Sequence, residues 1–272
     1  MASTRNTPSA VPAPAPTAVD RPRLTARSVI ASTLLGINPP ELTTRALVAS
    51  AELLGVSPGT ARVAMSRMVG AGELEATADG YRLAGHLLRR QARQDVSRTG
   101  APAAWDGAWR TAIVPAEARA AADRSELRRA MAALRFGELR DGVWLRPANL
   151  PTGGLGWAEA VASRQTIAVV GTVADHDDIV ARLWDLPAWS ATATALVAEL
   201  APLQQRLDRG ESDALADGFV VAAAVLRHLQ ADPLLPAALL PVAWPGERLR
   251  TDQARFDASF KAVLRDWHLA RS

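Results

Sequence analysis

The 272-residue sequence contains no cysteine and a single lysine, Lys261, so nearly all of its permanent positive charge is carried by arginine. Without cysteine there is no disulfide, no thiolate nucleophile and no cysteine-ligated zinc or iron–sulfur site. No uncharged apolar run reaches the roughly 18 residues that a membrane-spanning helix needs, and residues 1–23 lack the apolar core of a signal peptide. We therefore expect a soluble, cytoplasmic protein that needs no cofactor.

Hydrophobic residues make up 49% of the chain, and much of that share is alanine. Alanine is the residue that helices accommodate best, so packed helices are expected to outweigh sheets. The length is sufficient for two or three compact domains. Composition therefore predicts that helices dominate, and together with the strands predicted below it makes the expected fold class α+β.

Positive charge is concentrated in the first part of the chain. Residues 1–100 hold 12 arginines against seven acidic residues, whereas residues 101–272 hold 19 cationic against 21 acidic residues. The surplus of positive charge predicts a polyanionic partner for the N-terminal part, with nucleic acid as the leading candidate.

Helical periods begin after an alanine- and proline-rich tail. Residues 1–22 have little to bury and are expected to be disordered. Apolar residues then recur at helical spacing in residues 25–36, and again from Thr43 or Thr44 to Leu54. These two stretches predict the first two helices.

A third helix is predicted directly after a short turn. Gly55 permits a left-handed backbone conformation, Ser57 is a good N-cap, and Pro58 suits the first helical position. Two helices joined by a glycine turn indicate a helix-turn-helix. Its second helix should bury Ala61, Ala64, Met65 and Met68.

The outward face of this third helix is the predicted DNA-binding site. A polar outer face is ordinary for any helix, but in a helix-turn-helix the second helix enters the major groove with its N-terminus first. Arg62 is expected at a base or phosphate near the groove floor, and Arg67 at the backbone. The residues assigned to DNA binding on this helix are Ser57, Pro58, Gly59, Thr60, Arg62, Val63, Ser66 and Arg67.

A short hairpin follows, predicted from Glu73 to Ala84 with a tight turn at Asp79-Gly80. As the wing of a winged helix it would place Arg82 beside a phosphate. A purely structural hairpin that covers the helices is about as well supported. Residues 86–98 are then expected to form an arginine-rich helix or linker that ends near Gly100.

The middle region alternates strands and helices. Strands are predicted at residues 105–114, 142–146 and 166–173, and helices at 125–134 and 176–183, with a loop at 150–157. This pattern favours a ferredoxin-like sandwich. Three further helices, at 188–207, 211–229 and 248–270, complete the chain. The proline- and leucine-rich residues 232–246 are expected to form an ordered, packed connector.

Catalytic motifs are scarce. The segment Asp175-His176-Asp177-Asp178 could hold a divalent metal, which would support a metal-dependent nuclease or hydrolase. More often such a segment is a helix N-terminus that uses aspartate for capping. There is no phosphate-binding glycine loop, no nucleophile elbow and no zinc-protease motif. We expect no catalytic activity and no metal.

Five stretches together resemble the PaaX family, the phenylacetic acid degradation repressors, along nearly all of the chain that is expected to be ordered. They are LGVSPGTARVAMSRMVGAGELE, WDGAWR, LRFGELRDGVWLRP, ARLWDL and DPLLPAALLPVAWPG. The resemblance implies an N-terminal winged helix-turn-helix, a central ferredoxin-like domain similar to Cas2, and an all-helical C-terminal domain. It also implies a dimeric repressor, and the best-known members are released from operator DNA by phenylacetyl-CoA.

The resemblance carries the DNA-reading role to the helix from Arg62 to Arg67, where the arginine spacing matches. The chain departs from the family in its short wing, which has few basic residues, and in its long N-terminal tail. The expected boundaries are a tail at residues 1–22, the winged helix at 23–85, a linker helix at 86–103, the ferredoxin-like domain at 104–186 and the helical domain at 187–272.

An acyl-CoA effector would need cationic groups for its phosphates and an apolar slot for its acyl group. Tryptophan and arginine residues of the middle region could supply both. The alternative, which we favour, is that the tryptophans pack a core and the arginines lie at the surface. The candidate effector residues are Trp105, Trp109, Arg110, Arg135, Arg140, Trp144 and Arg146.

Overall fold

The computed structural model describes residues 25–100, 103–115 and 119–269, excluding the side chains of residues 268 and 269. The tail expected at residues 1–22 therefore lies outside the described residues. The rest of the chain forms an N-terminal unit, a central four-stranded sheet with its helices, and a C-terminal set of long helices. The predicted fold class, a helix-dominated α+β protein, is confirmed.

The N-terminal unit contains three helices and a small antiparallel sheet. In chain order its elements are α1 (Ala26–Leu35), β1 (Glu41–Thr43), α2 (Thr44–Leu53), α3 (Pro58–Gly70), β2 (Leu74–Ala76) and β3 (Gly80–Leu83). The strands lie in the order β1-β3-β2. Strand β1 precedes α2, and the β2–β3 hairpin follows α3. One core joins the helices to the sheet and includes Ile30, Leu34, Leu47, Met65, Met68 and Leu74.

The three helices begin where the sequence predicts. Thr25 caps α1 in a reciprocal arrangement with Ser28, and the Thr43 hydroxyl accepts a hydrogen bond from the Ala46 amide at the start of α2. Such caps satisfy backbone amides that have no partner inside the helix. Local sequence signals are therefore sufficient to place these helices.

The small sheet corrects two predictions. Strand β1 was not predicted, and the hairpin turn lies at Ala78-Asp79, because the Thr77 amide bonds to the Gly80 carbonyl at 2.9 Å. Gly80 instead belongs to β3, opposite Thr43 of β1. A Cβ atom there would collide with the Leu42 carbonyl oxygen and lie 2.6 Å from the Thr43 Cα. Glycine is required by this close approach and not by the turn.

A long helix, α4 (Gly85–Thr99), connects the N-terminal unit to the rest of the chain. It packs against α1 on one side and against two C-terminal helices on the other. Gly100 ends it in the left-handed conformation, which is common for glycine after a helix. Helix α4 therefore contacts both ends of the molecule.

The central sheet has ferredoxin-like topology. Its elements are β4 (Trp109–Ile113), α5 (Ala121–Ala133), β5 (Gly137–Arg140), β6 (Val143–Pro147), α6 (Gly156–Gln165), β7 (Ile167–Gly171) and α7 (His176–Leu183). All strand pairs are antiparallel, in the order β5-β6-β4-β7. Two of these elements, β5 and α6, were missed by the sequence prediction, which had assigned too few elements for this topology.

The two faces of the central sheet enter different cores. Trp144 packs with α5 and α6, together with Leu127 and Met131. On the opposite face, Trp109 and Leu145 pack with α7 and with Leu235 and Leu239 of the C-terminal part. The alternation of side chains along the strands produces this separation.

The C-terminal helices are α8 (Leu186–Asp208), α9 (Ala214–Leu229) and α10 (Gly246–Leu269). They share one core, and the connector between α9 and α10 buries Leu234, Leu235 and Leu239 around a short 3-10 turn at Ala237–Leu239. The predicted packed connector is therefore confirmed. No helix in the described ranges is both long and apolar enough to cross a membrane.

A buried polar network joins these parts, and we call it the junction network. The Arg250 guanidinium contacts the Asp232 carboxylate at 2.6 Å and donates to the Ser97 carbonyl at 2.9 Å. Arg135 donates to the Ser97 hydroxyl at 2.6 Å and to the Gln230 carbonyl. Burial lowers the pKa of Arg135 to about 10, and the Asp232 charge partly opposes this effect. The network thus links α4, the end of α5, the end of α9 and α10.

The junction network predicts a large stability effect at Asp232. Replacing Asp232 with alanine leaves Arg250 and Arg135 buried without a carboxylate, and breaking a buried pair in this way costs about 3–5 kcal/mol. We expect Asp232→Ala to lower the urea midpoint of the transition that includes the C-terminal helices. The control is Asp252→Ala, which removes an exposed pair with Arg248 on the same helix and should cost well under about 1 kcal/mol. Equal midpoints for the two variants would contradict the assignment.

Candidate nucleic-acid interface

The inward side of α3 fixes the orientation of the helix. Ser57 accepts a hydrogen bond from the Thr60 amide at 3.3 Å, and Pro58 occupies the first turn as predicted. Ala61, Met65 and Met68 are almost fully buried against α1 and α2. The opposite side of α3 is consequently held toward solvent.

The outward side of α3 presents two arginines without partners. The exposed residues are Ser57, Gly59, Thr60, Arg62, Val63, Ser66 and Arg67, whereas Pro58 is half-buried. The side chains of Arg62 and Arg67 form no ion pair or hydrogen bond with any other described residue. Val63 between them is 51% exposed, which is unusual for an apolar side chain on a packed helix. This surface can therefore contact an anion and an apolar group at the same time.

A third free arginine lies beside this surface and was missed by the sequence analysis. Arg45, in the first turn of α2, is exposed and has no ion pair within the described ranges. It lines a depression of about 880 Å³ together with Arg62 and the Thr43-Thr44 start of α2. A helix N-terminus favours phosphate. The sequence signal that could have identified Arg45 is its position two residues after Thr43, the N-cap of α2.

The arginine of the β2–β3 hairpin, Arg82, already has an ion-pair partner. Arg82 lies opposite Glu75 in the β2–β3 pair, and its guanidinium contacts the Glu75 carboxylate at 2.6 Å and 2.8 Å. Glu41 faces Arg82 from the other neighbouring strand. Arg82 is thus exposed on the β2–β3 hairpin but lies between two carboxylates, and its contact with a phosphate stays a prediction.

Arg27 of α1 is neutralised in a similar way. It donates to the Glu73 carboxylate, and this hydrogen bond holds the pKa of Glu73 below its usual range. Among the described residues of the N-terminal unit, the cations left free at this surface are Arg45, Arg62 and Arg67. They belong to α2 and α3 and not to the wing.

The tryptophans proposed for effector binding do not share a cavity. Trp109 donates to the His176 ring at 3.0 Å, and Trp105 packs edge-on against both rings. Trp144 lies on the other face of the sheet. Packing of the tryptophans in cores, the favoured alternative, agrees with these positions.

The arginines of the same set are also dispersed. Arg110 and Arg146 are cross-strand partners, and the Arg146 guanidinium lies over the Phe136 ring at 5.2 Å. Burial and the neighbouring Arg110 charge lower the pKa of Arg146 to about 10. Arg135 belongs to the junction network, and Arg140 is exposed at the β5–β6 hairpin. The expectation that these arginines lie at the surface is therefore wrong for Arg135 and Arg146.

The aspartate-rich segment caps a helix. The Asp175 carboxylate accepts a hydrogen bond from the Asp178 amide at 3.0 Å, at the start of α7. Asp178 pairs with Arg182 one turn later at 2.9 Å. The capping role is confirmed. Within the described part of the chain, no group of three or more acidic or histidine side chains could hold a metal ion.

The described residues form three parts: an N-terminal unit of three helices and a small sheet, a ferredoxin-like sheet with its helices, and a set of C-terminal helices. Family comparisons match the same three parts. Residues 25–87 match the family described as PaaX-like protein, residues 102–174 match the PaaX protein central Cas2-like domain, and residues 184–265 match the PaaX-like protein C-terminal domain. The chain therefore belongs to the PaaX family, which is generally regulatory rather than enzymatic.

A solved structure supports the same relationship. The uncharacterized protein Rv0674 from Mycobacterium tuberculosis is 39% identical, with a TM-score of 0.68 over 89% of this chain and 98% of that chain. Among curated proteins, none matches significantly. The similarity thus covers most of this chain, and because the related protein is uncharacterized, it assigns no activity.

The packing of the wing predicts that Gly80 cannot be replaced. In Gly80→Ala the new methyl group would force β1 away from β3, and overpacking of this kind costs about 1–3 kcal/mol. The matched control is Gly70→Ala, where no atom lies within 4 Å of the added group and the change should stay below about 1 kcal/mol. Urea midpoints of the N-terminal unit measure both. A Gly80→Ala variant as stable as the control would show that β1 is not paired as described.

Proposed function

We propose that this chain is a dimeric PaaX-like repressor that binds a palindromic operator and is released by an acyl-CoA thioester such as an arylacetyl-CoA. The observation that carries the DNA-binding part is the solvent-facing side of α3, where Arg62 and Arg67 have no partner among the described residues. We further propose that residues 23–85 bind DNA, that residues 86–103 link this domain to the body, and that residues 104–186 and 187–272 form the body.

Helix α3 has the features that major-groove recognition requires. Gly59 and Thr60 at its start are small, so the helix N-terminus can approach the bases closely. Arg62, one turn further, can contact guanine or phosphate with two hydrogen bonds. Arg67 lies further along the helix and is proposed to contact the phosphate backbone. Arg45 at the start of α2 adds a second phosphate contact.

The wing is proposed to contribute little. For Arg82 to bind a phosphate it must first leave Glu75, and two carboxylates next to it oppose an approaching polyanion. Operator affinity should therefore depend on α2 and α3.

Alanine substitutions separate these contributions. Arg62→Ala should weaken operator binding about tenfold or more, because one bidentate base contact is worth about 1–3 kcal/mol. Arg82→Ala should change affinity by less than about threefold. Arg67→Ala should lower the affinity for all DNA sequences alike and reduce the slope of affinity against salt concentration by about one phosphate contact. Mobility-shift titrations at several salt concentrations measure the three effects.

The control is Arg129→Ala, at an exposed position of α5 far from the N-terminal unit. Circular dichroism verifies that each variant is folded. Operator affinity that is unchanged by Arg62→Ala in a folded protein would remove α3 as the reading helix.

The proposed dimer uses the open edge of the central sheet. Strand β7 lies at the end of the strand order, and all five of its residues are exposed. Ile113, Ile167 and Val169 share one face of the sheet, and Val170 lies on the other face; we call these four residues the β7 surface. An exposed apolar strand edge needs a cover in solution. A second copy of the same edge supplies one with two-fold symmetry, and two-fold symmetry accounts for a palindromic operator.

A charge on the β7 surface tests this dimer. Val169→Glu places a carboxylate inside the proposed apolar interface, so the mass measured by light scattering should fall from twice the 28.8 kDa chain mass toward the single-chain value. Val242→Glu is the control, because Val242 is fully exposed in the connector. A dimer that survives Val169→Glu as well as it survives Val242→Glu would place the interface elsewhere.

A further inference from the structure

A mainly apolar cavity of about 500 Å³ lies between the N-terminal unit and the C-terminal helices, and we call it the interdomain cavity. Helices α1 and α2 form one wall, α9 and α10 form the opposite wall, and α4 closes one side. Leu35, Leu54, Phe219, Leu226, Phe260 and Leu264 are among its apolar lining residues. This volume is within the range of small-molecule sites.

The charged residues that line the interdomain cavity are mostly cationic. Arg90 and Arg98 come from α4, and Lys261 and Arg265 come from α10. Asp257 is the acidic residue in the lining, and burial raises its pKa above the usual range for aspartate. An apolar cavity with this excess of positive charge is complementary to an apolar molecule that carries an anionic group.

Arg90 lacks the carboxylate that a half-buried arginine normally has. It forms no ion pair within the described ranges, and the charges that act on it come from Arg93, Arg227 and Arg27. Burial first, and then these like charges, lower the pKa of Arg90. An external anion at this position would remove an unfavourable concentration of positive charge.

Gln94 provides a second, independent observation, one turn along α4 from Arg90. Its residue surface is only 3% exposed, yet its Oε1 atom accepts no hydrogen bond from any described residue. Buried amide oxygens normally have a partner, because an unsatisfied group costs about 1–3 kcal/mol. The Oε1 atom needs a donor, which the amide N–H groups of the pantetheine arm of a CoA thioester would supply and a carboxylate, which only accepts, would not.

We propose that the interdomain cavity binds the apolar acyl group of an anionic ligand, with Arg90 as the residue that holds the oxygen atoms at the head of that group. The inference rests on the proposed function, since it assigns the effector site of the repressor. Two ligand sources share this chemistry. A free carboxylate would fit entirely inside with its oxygens at Arg90, whereas a CoA thioester would place its carbonyl oxygen at Arg90 and leave its phosphates near the exposed Lys261 and Arg265.

The position of the interdomain cavity couples it to α3. Leu53 of α2 lines the cavity and also packs against the C-terminal core, and α3 packs directly on α1 and α2. A ligand between α2 and α9 would compete with the Leu53 contact and change the position of α3 relative to the body. A ligand shifts such an equilibrium by its difference in affinity for the two arrangements. A ligand in the interdomain cavity would thereby release the protein from DNA without touching α3.

The test uses the full-length protein with phenylacetyl-CoA, octanoyl-CoA and the two free acids as probes. Isothermal calorimetry measures binding, and operator mobility shifts measure release. Ala223→Phe fills the interdomain cavity from α9, and Ala254→Phe is its control on the exposed side of α10. Arg90→Gln removes the cation at the head of the acyl group, and Arg129→Gln, at an exposed position of α5, is its control. Arg140→Gln tests the alternative site in the central domain. The two substitutions in the cavity should weaken the best probe about tenfold or more, and the controls should not.

The possible results differ for each part of the proposal. Tighter binding of the thioesters than of the acids supports a CoA ligand, and the reverse supports a carboxylate in the same cavity. A probe whose affinity falls with Arg140→Gln but not with Ala223→Phe or Arg90→Gln would move the site to the central domain and overturn the inference. Lack of binding by all four probes would also overturn it. Failure of the proposed function is recognised separately, as an absence of operator binding by the protein without any probe.

Discussion

The buried contact between Asp232 and Arg250 is the interaction on which the arrangement of the molecule depends. It occurs where α4, the end of α5, the end of α9 and the start of α10 meet, and Arg250 and Arg135 both bond to Ser97. These bonds have fixed directions, whereas apolar packing alone allows the elements to slide. The carboxylate also balances two buried cations that would otherwise be costly. Helix α4, which leaves the N-terminal unit, is thereby fixed to the body.

This attachment gives the free arginines of α3 a defined position relative to the rest of the chain. Besides α4, the contact of Leu53 with the C-terminal core joins α2 to the body. Between these two attachments lies the interdomain cavity. The proposed DNA-binding surface is thus joined to the body through α4 and through the apolar contact of Leu53. This arrangement suits regulation, because a ligand can replace the apolar contact while the polar junction remains.

Local signals allowed much of the fold to be predicted. Caps at Thr25, Thr43 and Ser57 and the turn at Gly55 lie close in sequence to the helices that they start or end, so α1 to α3 were placed correctly. The fold class and the family also followed from the sequence. Strand β1 was missed because it is three residues long and pairs with the distant β3. Strand β5 pairs with the adjacent β6, and α6 spans ten residues, so no distant partner accounts for those two omissions. Gly80 was assigned to a turn because its contact with Leu42 cannot be read from the hairpin alone.

The candidate sites were predictable to a smaller degree. The outward face of α3 follows from helical periodicity, and every residue predicted there except the half-buried Pro58 is exposed. The pairing of Arg82 with Glu75 could be inferred only from the register of the strands. Arginine is usually a surface residue, so no sequence pattern indicated that Arg135 and Arg146 are buried. The interdomain cavity combines residues from five helices that are up to about 230 positions apart, and no local pattern reveals it.

The proposed regulation requires that a ligand in the interdomain cavity change the position of α3 relative to the C-terminal helices. Because the chain has no cysteine, spin labels can be attached only at introduced sites, and Val69→Cys in α3 with Ala254→Cys in α10 gives an exposed pair. The labelled protein is diluted with unlabelled protein, and the distance distribution is recorded with and without saturating acyl-CoA. Ligand binding should shift the distribution to a second distance, and this shift should be lost when Ala223→Phe is added. An unchanged distribution in protein whose ligand occupancy is verified would contradict it.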